Sequence, residues 1–325
     1  MSEAPLVTVL LPVRNAAPFL RQALESLRDQ TYRRFTVLAI DDGSTDASLE
    51  ILRSFGDARV RVIARGRRGL VATLNEGLEL SETTYVARMD ADDRSLPLRI
   101  EKQVRAFDDD PTLTMVGTRM TVIDAECSAL ASPAALESDS AIRRALAVTN
   151  CFVHGSVMFR RDEARQAGGY RDSAHLVEDY DLWSRMAERG KLANLPDALY
   201  EWRSNPAGVS RARRADQKAA AERLADALWS RWFPEAGPAP MQAWPEIWRD
   251  GVDRSLGCDL HLLFARGYLK RGQRSLALRH VRAALRQRPS AFAGWAYLQG
   301  MLLPARWFVA LEDRGRTLIE RQRGW

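Results

Sequence analysis

The sequence predicts an α/β fold built on a largely parallel sheet, followed by an all-helical extension. Three features of the 325 residues carry this reading. Apolar runs of strand length alternate with stretches of helical period from residue 6 to residue 87, and such β-α-β alternation implies a parallel sheet. Carboxylates, rather than glycine-rich turns, stand where the second and fourth of these strands end. Finally, the chain changes character near residue 210: residues 211–325 carry a net charge of +10, against −4 for residues 1–210. At this length a catalytic-sized domain, 1–210, and a smaller appendage, 211–325, are expected.

Residues 6–13 are almost continuously apolar, the pattern of a strand buried on both faces. Phe19, Leu20, Ala23, Leu24 and Leu27 then recur at helical spacing, which predicts an amphipathic helix over 16–28. A second strand, 35–40, runs into Asp41-Asp42-Gly43-Ser44-Thr45-Asp46. There Gly43 permits a tight turn, and Ser44 or Asp46 can cap the helix carrying Ile51, Leu52 and Phe55. A third strand over 60–63, a third helix over 69–80 with Leu70, Leu74 and Leu78, and a fourth strand over 84–87 complete the alternation. The fourth strand leads into Met89-Asp90-Ala91-Asp92-Asp93-Arg94, a loop at the C-terminal end of a strand, where open α/β sheets bind ligands.

Residues 112–123 are β-rich, 132–147 read as a loop and then a helix with Ile142, Leu146 and Ala147, and 156–159 as a strand. Leu182, Trp183 and Met186 place the pair Glu178-Asp179 at a helix N-terminus, where the dipole stabilises carboxylates. Residues 211–230 form a basic, alanine-rich helical pattern, and 234–245 a proline-broken connection. Residues 260–270 and 274–287 read as a helical hairpin, with Tyr268, Gly272, Ala277, Ala284 and Pro289 at spacings similar to a tetratricopeptide repeat. Residues 291–310 supply a further apolar helix.

Composition excludes several classes. An apolar fraction of 46% with 28% charged residues argues against disorder. Cys127, Cys151 and Cys258 are odd in number and far apart, so neither a disulfide framework nor a zinc site is expected. No run approaches the length of a membrane span, and the N-terminus lacks a basic segment followed by an apolar core, which predicts a cytoplasmic protein. There is no G-x-G-x-x-G after the first strand and no P-loop motif, so a dinucleotide or P-loop phosphate cradle is not expected. Three aspartates within four residues repel one another unless a divalent cation or hydrogen-bond donors neutralise them; a solvated acidic turn is the plain alternative.

The segments 9–15 (Val-Leu-Leu-Pro-Val-Arg-Asn), Asp41 to Asp46, Gly69-Leu70 with Leu74-Asn75-Glu76-Gly77, and Asp90-Ala91-Asp92-Asp93 with Pro97 and Arg99 together resemble the successive motifs of the family 2 glycosyltransferases. His154-Gly155-Ser156-Val157-Met158-Phe159-Arg160, Gly168-Gly169-Tyr170 and Glu178 to Trp183 continue the resemblance in order over residues 5–210. It implies a GT-A type, Rossmann-like mixed sheet with helices on both faces. It implies further a metal-dependent, inverting hexosyltransferase that moves sugar from a nucleoside-diphosphate sugar to a hydroxyl acceptor in cell-surface polysaccharide or glycan synthesis.

Carried residue by residue, the resemblance gives Asp42 the nucleobase, with the backbone near Pro12 beside it. Asp90 falls near the ribose, and Asp92 holds Mg²⁺ or Mn²⁺ bridging the diphosphate. Asp93 either contacts the donor or caps the following helix, and Arg65 and Arg68 lie where a basic residue approaches the nucleotide. Asp179 becomes the base that takes the proton of the incoming hydroxyl, with helix capping as its structural alternative. Glu178, His154 and Arg203 are candidates for acceptor or loop contacts, His154 equally for a structural role. The family often has proline at the position of Gly155.

Other readings are a non-catalytic sugar-nucleotide-binding or scaffold protein with the same fold, and nucleic-acid binding through the basic tail. The first has no need of Asp42, Asp92 and Asp179 together, and no nucleic-acid motif supports the second. The tail is expected either to hold the protein peripherally at the inner membrane face, near a glycan or lipid-linked acceptor, or to serve as a helical cap.

Overall fold

The computed structural model describes residues 4–133, 135–204, 213–234, 278 and 281–282. The chain divides into two compact units, Met1–Leu224 and Ala225–Trp325. Apart from residues 234, 278 and 281–282, the expected proline-broken connection, tetratricopeptide-like hairpin and final apolar helix lie outside the described residues.

The first unit follows the predicted alternation closely. Strand β1 (Val7–Val13), helix α1 (Ala17–Arg28), β2 (Phe35–Asp42), α2 (Ser48–Ser54), β3 (Val60–Arg65), α3 (Leu70–Leu80) and β4 (Tyr85–Arg88) come first. After them come β5 (Arg94–Ser95), α4 (Arg99–Asp109), β6 (Leu113–Ile123), β7 (Ala129–Ala131), α5 (Asp139–Leu146), β8 (Met158–Arg160), α6 (Arg161–Gln166), α7 (Glu178–Ala187), β9 (Lys191–Arg203) and α8 (Arg214–Trp232). The sheet order is β3-β2-β1-β4-β8-β6-β9-β5, with β7 paired to β6. Strands β1 to β4 are parallel, β8 runs antiparallel to β4 and β6, β6 and β9 are parallel, and β5 is antiparallel to β9. The sheet is therefore mixed, as the GT-A expectation requires.

The core explains the pattern. Strand β1 is central and fully covered, with Val7, Val9, Leu10, Leu11 and Val13 almost inaccessible, and the apolar stripe of α1 (Leu20, Ala23, Leu24, Leu27) packs in the same cluster. Asp46 accepts from the amides of Ala17 and Ser48, so it ties the first turns of α1 and α2 to the turn after β2. Strand β9 has no clean period-2 signature: Pro196 interrupts it, and its register against β6 shifts three times. Tertiary pairing rather than local pattern makes it a strand.

Register fixes what meets at the sheet's C-terminal edge. Val13 pairs with Asp41 and Leu10 with Arg88, so the chain following β4 and the last residues of β2 flank the end of β1. Pro12, Asp42 and Asp90 thus come to one edge from sequence positions nearly 80 residues apart.

Candidate active site

At the end of β2, Asp42 is buried and serves as the anchor for the loop leading into α3. Its Oδ1 accepts from Arg65 Nη1 (2.7 Å) and from the Arg68 amide (2.7 Å), and its Oδ2 from the Gly69 amide (2.9 Å). Arg65 also pairs with Glu76 (2.8 Å) and donates to Thr73 (2.6 Å), whereas the Arg68 side chain is largely exposed and only grazes Glu76 at 3.5 Å. Gly43 has φ of +70°, and a β-carbon there would stand 2.8 Å from the Arg67 nitrogen, so the two loops close on each other only over a glycine. Beside it the buried Asp41 Oδ1 finds no hydrogen-bond partner among the described residues.

The acidic loop after β4 is held very differently from a solvated turn. Three arginines, Arg88, Arg99 and Arg203, are fully buried beneath it. Arg88 Nη2 pairs with Asp90 Oδ1 at 2.8 Å. That carboxylate raises the guanidinium pKa against the opposing effect of burial. Arg99 donates to the carbonyls of Arg88 and Val157, stacks on the Tyr200 ring, and is pulled down to about 10, chiefly by burial. Part of the neutralisation that the aspartates need is therefore supplied by the protein itself.

Asp93 is placed away from the helix-capping position read from the sequence. It is buried, accepting from the Tyr200 hydroxyl (2.7 Å) and the Arg203 amide (2.7 Å). It does not cap α4, whose N-terminus has no side-chain cap. Burial, then the charges of Asp90 and Asp92, push its pKa well above the usual carboxylate range. Arg203 is likewise buried. Its guanidinium is taken up by the carbonyls of Asp92, Asp124 and Ala125 and by Gln22, over the Phe19 ring, so it fixes the loop.

The remaining loop carboxylates are the half-buried Asp92 and Asp90, the latter with side-chain exposure of 35%. No group of three metal-type ligands occurs among the described residues. One or two carboxylates, with substrate phosphates completing the shell, is the donor set that Mg²⁺ ordinarily uses, so this loop fits a metal shared with a diphosphate.

At the start of α7, Asp179 is half-buried and accepts from Asn150 Nδ2 (2.8 Å) and the Tyr180 amide. Burial, then the neighbouring Glu178 charge, push it up to about 7. Glu178 is itself raised by burial, and its Oε2 has no hydrogen-bond partner among the described residues. Capping alone does not require a carboxylate held at this pKa.

The two acidic centres belong to one cluster. Arg88 Nε reaches His154 Nε2 at 3.3 Å, which in turn lies 3.3 Å from the Tyr170 hydroxyl. The charges of Asp179, Glu178 and Asp90 all act on that phenol, whose pKa burial raises far above normal. Because Arg88 donates to Nε2, His154 carries its proton on Nδ1, and burial beside Arg88 holds its pKa well below 6.5. His154 is thus a neutral structural link. Asn150, Tyr170, Arg88 and Tyr200 are participants to which sequence reasoning gave no role, although Tyr170 stood within the Gly168-Gly169-Tyr170 motif and Arg88 is a charged residue ending an apolar strand.

The sequence profile of Glycosyl transferase family 2 matches residues 8–165. A putative glycosyltransferase EpsE of Bacillus subtilis is 33% identical over 214 residues, which span 63% of this chain and 75% of that protein. The amylovoran biosynthesis glycosyltransferase AmsE of Erwinia amylovora is 33% identical over 198 residues, 60% of this chain and 74% of the relative. Among solved structures, S. aureus TarS 1-349 in complex with UDP-GlcNAc has a TM-score of 0.55 at 15% identity, covering 86% of this chain and 81% of the other. The mannosyltransferase PcManGT from Pyrobaculum calidifontis, in complex with GDP-Man and Mn²⁺, has a TM-score of 0.54 at 18% identity, covering 96% and 85%. With that sequence likeness running through the strand ends just described, the chain belongs to glycosyl transferase family 2.

Proposed function

We propose that the protein is a metal-dependent, inverting glycosyltransferase that uses a nucleoside-diphosphate sugar and a glycan or lipid-linked hydroxyl acceptor in polysaccharide synthesis. The observation that carries this reading is Asp179: a carboxylate at about 7, in the same cluster as the acidic loop. A base is most effective when its pKa lies near the working pH.

In this reading Asp42 accepts a hydrogen bond from the nucleobase. An ionised carboxylate offers about four acceptor sites, and three are used within the protein. The backbone at Pro12 forms the adjoining wall, and the Arg68 guanidinium lies at the mouth. Arg65 acts by holding Asp42. Asp90, oriented by Arg88, takes the ribose. A Mg²⁺ or Mn²⁺ ion held by Asp92 would neutralise charge on the departing diphosphate. The GDP-Man and Mn²⁺ of PcManGT and the UDP-GlcNAc of TarS support this class of ligand.

Asp179 then takes the proton of the acceptor hydroxyl as that oxygen bonds to the anomeric carbon and the carbon–oxygen bond to the diphosphate breaks. A single displacement inverts the configuration. Glu178 keeps the proton affinity of Asp179 high. We place the reaction on the cytoplasmic side, with the +10 charge of residues 211–325 drawing the protein to anionic headgroups; no helix among the described residues is long and apolar enough to cross a membrane. Release of nucleotide from a panel of nucleotide sugars with Mn²⁺ or Mg²⁺ tests the proposal. No release from any donor, or release indifferent to Asp179→Asn in the presence of acceptor extract, refutes it.

A further inference from the structure

One buried side chain that the proposed chemistry does not use reaches the acidic loop from 110 residues away. The Tyr200 hydroxyl, on β9, accepts from the Asp90 amide (3.1 Å) and donates to Asp93 Oδ2 (2.7 Å). Three residues on, the Arg203 amide donates to Asp93 Oδ1 and Arg203 Nε donates to the Asp92 carbonyl, each at 2.7 Å. All three aspartates of the loop are therefore held by the end of one strand. The hydroxyl reaches them only through a gap at Gly155: a β-carbon at that position would lie 1.9 Å from Tyr200 Oη and 3.0 Å from Asp90 Oδ2. The conformation of Gly155 is not one that excludes a side chain, so the vacancy is filled by Tyr200 and is not a demand of the backbone.

We infer that Tyr200 is a positioning residue, and Gly155 the vacancy that admits it, which together hold the Asp90–Asp92 loop in the shape that receives a metal–diphosphate before the donor arrives. Loops fixed in the productive geometry lose little entropy on binding, and loosening them weakens affinity without touching a ligand contact. The functional half of this inference rests on the proposed nucleotide-sugar reading; the anchoring of the loop does not.

The test uses the full chain with Tyr200→Phe, Gly155→Ala and the double variant. Phenylalanine keeps the ring under Arg99 and removes only the hydroxyl. Hydrogen exchange in the free protein should accelerate about 5- to 10-fold in peptides covering 89–95 and stay unchanged in β1 and α1, since only local opening is eased. Calorimetry with MnCl₂ and UDP or GDP should show about 5- to 10-fold weaker binding for Tyr200→Phe, with turnover at saturating donor reduced much less. Because alanine at 155 displaces the same hydroxyl, the double variant should be no worse than Gly155→Ala alone. Unchanged exchange in 89–95 overturns the anchoring, as does additivity of the two substitutions. Faster exchange with unaltered nucleotide affinity overturns the functional role. If the unaltered protein binds neither nucleotide, calorimetry moves to the other nucleoside diphosphates of the donor panel, and the proposed function falls if none binds, while exchange still decides the anchor.

Discussion

Replacing Asp179 by asparagine should impair catalysis and strengthen the fold in the same molecule. An aspartate in the unfolded chain titrates near 3.8, whereas in the folded protein burial and Glu178 hold Asp179 at about 7. Between those values the folded state keeps a proton that the unfolded chain has released, so raising the pH through this window favours unfolding, and the cost is complete above pH 7. At 1.36 kcal/mol per pH unit, the interval from pH 5 to pH 7 corresponds to about 2.7 kcal/mol as a ceiling, and partial exposure of the carboxylate brings a realistic figure to about 1–2 kcal/mol. Asparagine does not titrate, and it can keep the bond from Asn150 but not also accept from the Tyr180 amide, so a constant loss of about 1 kcal/mol is superimposed. Urea denaturation of both proteins at pH 5 and pH 8 should therefore show the variant gaining about 1–2 kcal/mol relative to the parent as pH rises. Over the same range, kcat/KM of the parent should climb through a pKa near 7, and the variant should lose about 10²-fold or more while retaining donor affinity. A stability difference independent of pH would mean that Asp179 titrates as an ordinary carboxylate, and the argument for it as base would fail.

Three further outcomes follow from the same geometry. Asp92→Asn should abolish turnover and weaken nucleotide binding in Mn²⁺ with the fold intact, and EDTA should do the same to the parent; equal donor affinity in EDTA, by calorimetry, would contradict the shared-metal reading. Glu178→Gln removes the nearest charge acting on Asp179, so the rising limb of the pH–kcat/KM profile should move to lower pH with activity kept above it. If instead Glu178→Gln loses activity and Asp179→Asn does not, the base is Glu178. Full-length protein should sediment with anionic liposomes at low salt and be released as salt rises toward physiological strength, as screening requires; absence of binding at low salt leaves residues 211–325 as a helical cap.

What could be read in the sequence was whatever lies on one strand and the turn after it. Leu10 to Val13, Val37 to Asp42 and Tyr85 to Asp90 each carry in one stretch both the apolar run that makes a strand and the residue placed at its end, so the fold and the positions of Asp42 and Asp90 emerged together, whereas Asp179 was placed by the helical spacing of Leu182, Trp183 and Met186. Asp93 was indistinguishable from its neighbours because its orientation depends on Tyr200 and Arg203, about 110 residues away on β9. That strand itself shows no local period, with Pro196 inside it, and comes into being through pairing with β6 and β5. Arginines at 88, 99 and 203 look like surface residues in a sequence, since arginine is rarely fully buried without partners. Here the partners are backbone carbonyls and carboxylates assembled only by the fold.

The burial of those arginines changes what the acidic loop has to do. Read as bare sequence, three aspartates repel one another unless a divalent cation or hydrogen-bond donors neutralise them. In the structure Asp90 has Arg88 at 2.8 Å, and Asp93 is withdrawn among Tyr200, Arg203 and Arg99. Arg88 thus answers part of the repulsion within the loop, while the charges of Asp90 and Asp92 still raise the pKa of Asp93 after burial has done so. The argument for a metal then shifts from the loop to the substrate: a diphosphate approaching Asp92 brings negative charge against a carboxylate, and a shared cation removes that conflict. Asp179 has the opposite surroundings. It is buried beside another carboxylate, and its hydrogen bonds come from an amide side chain and a backbone amide, so burial and then the Glu178 charge raise its proton affinity. One residue type is thereby paired to a buried arginine at one end of the cluster and, at the other, raised to about 7 by burial and a neighbouring carboxylate.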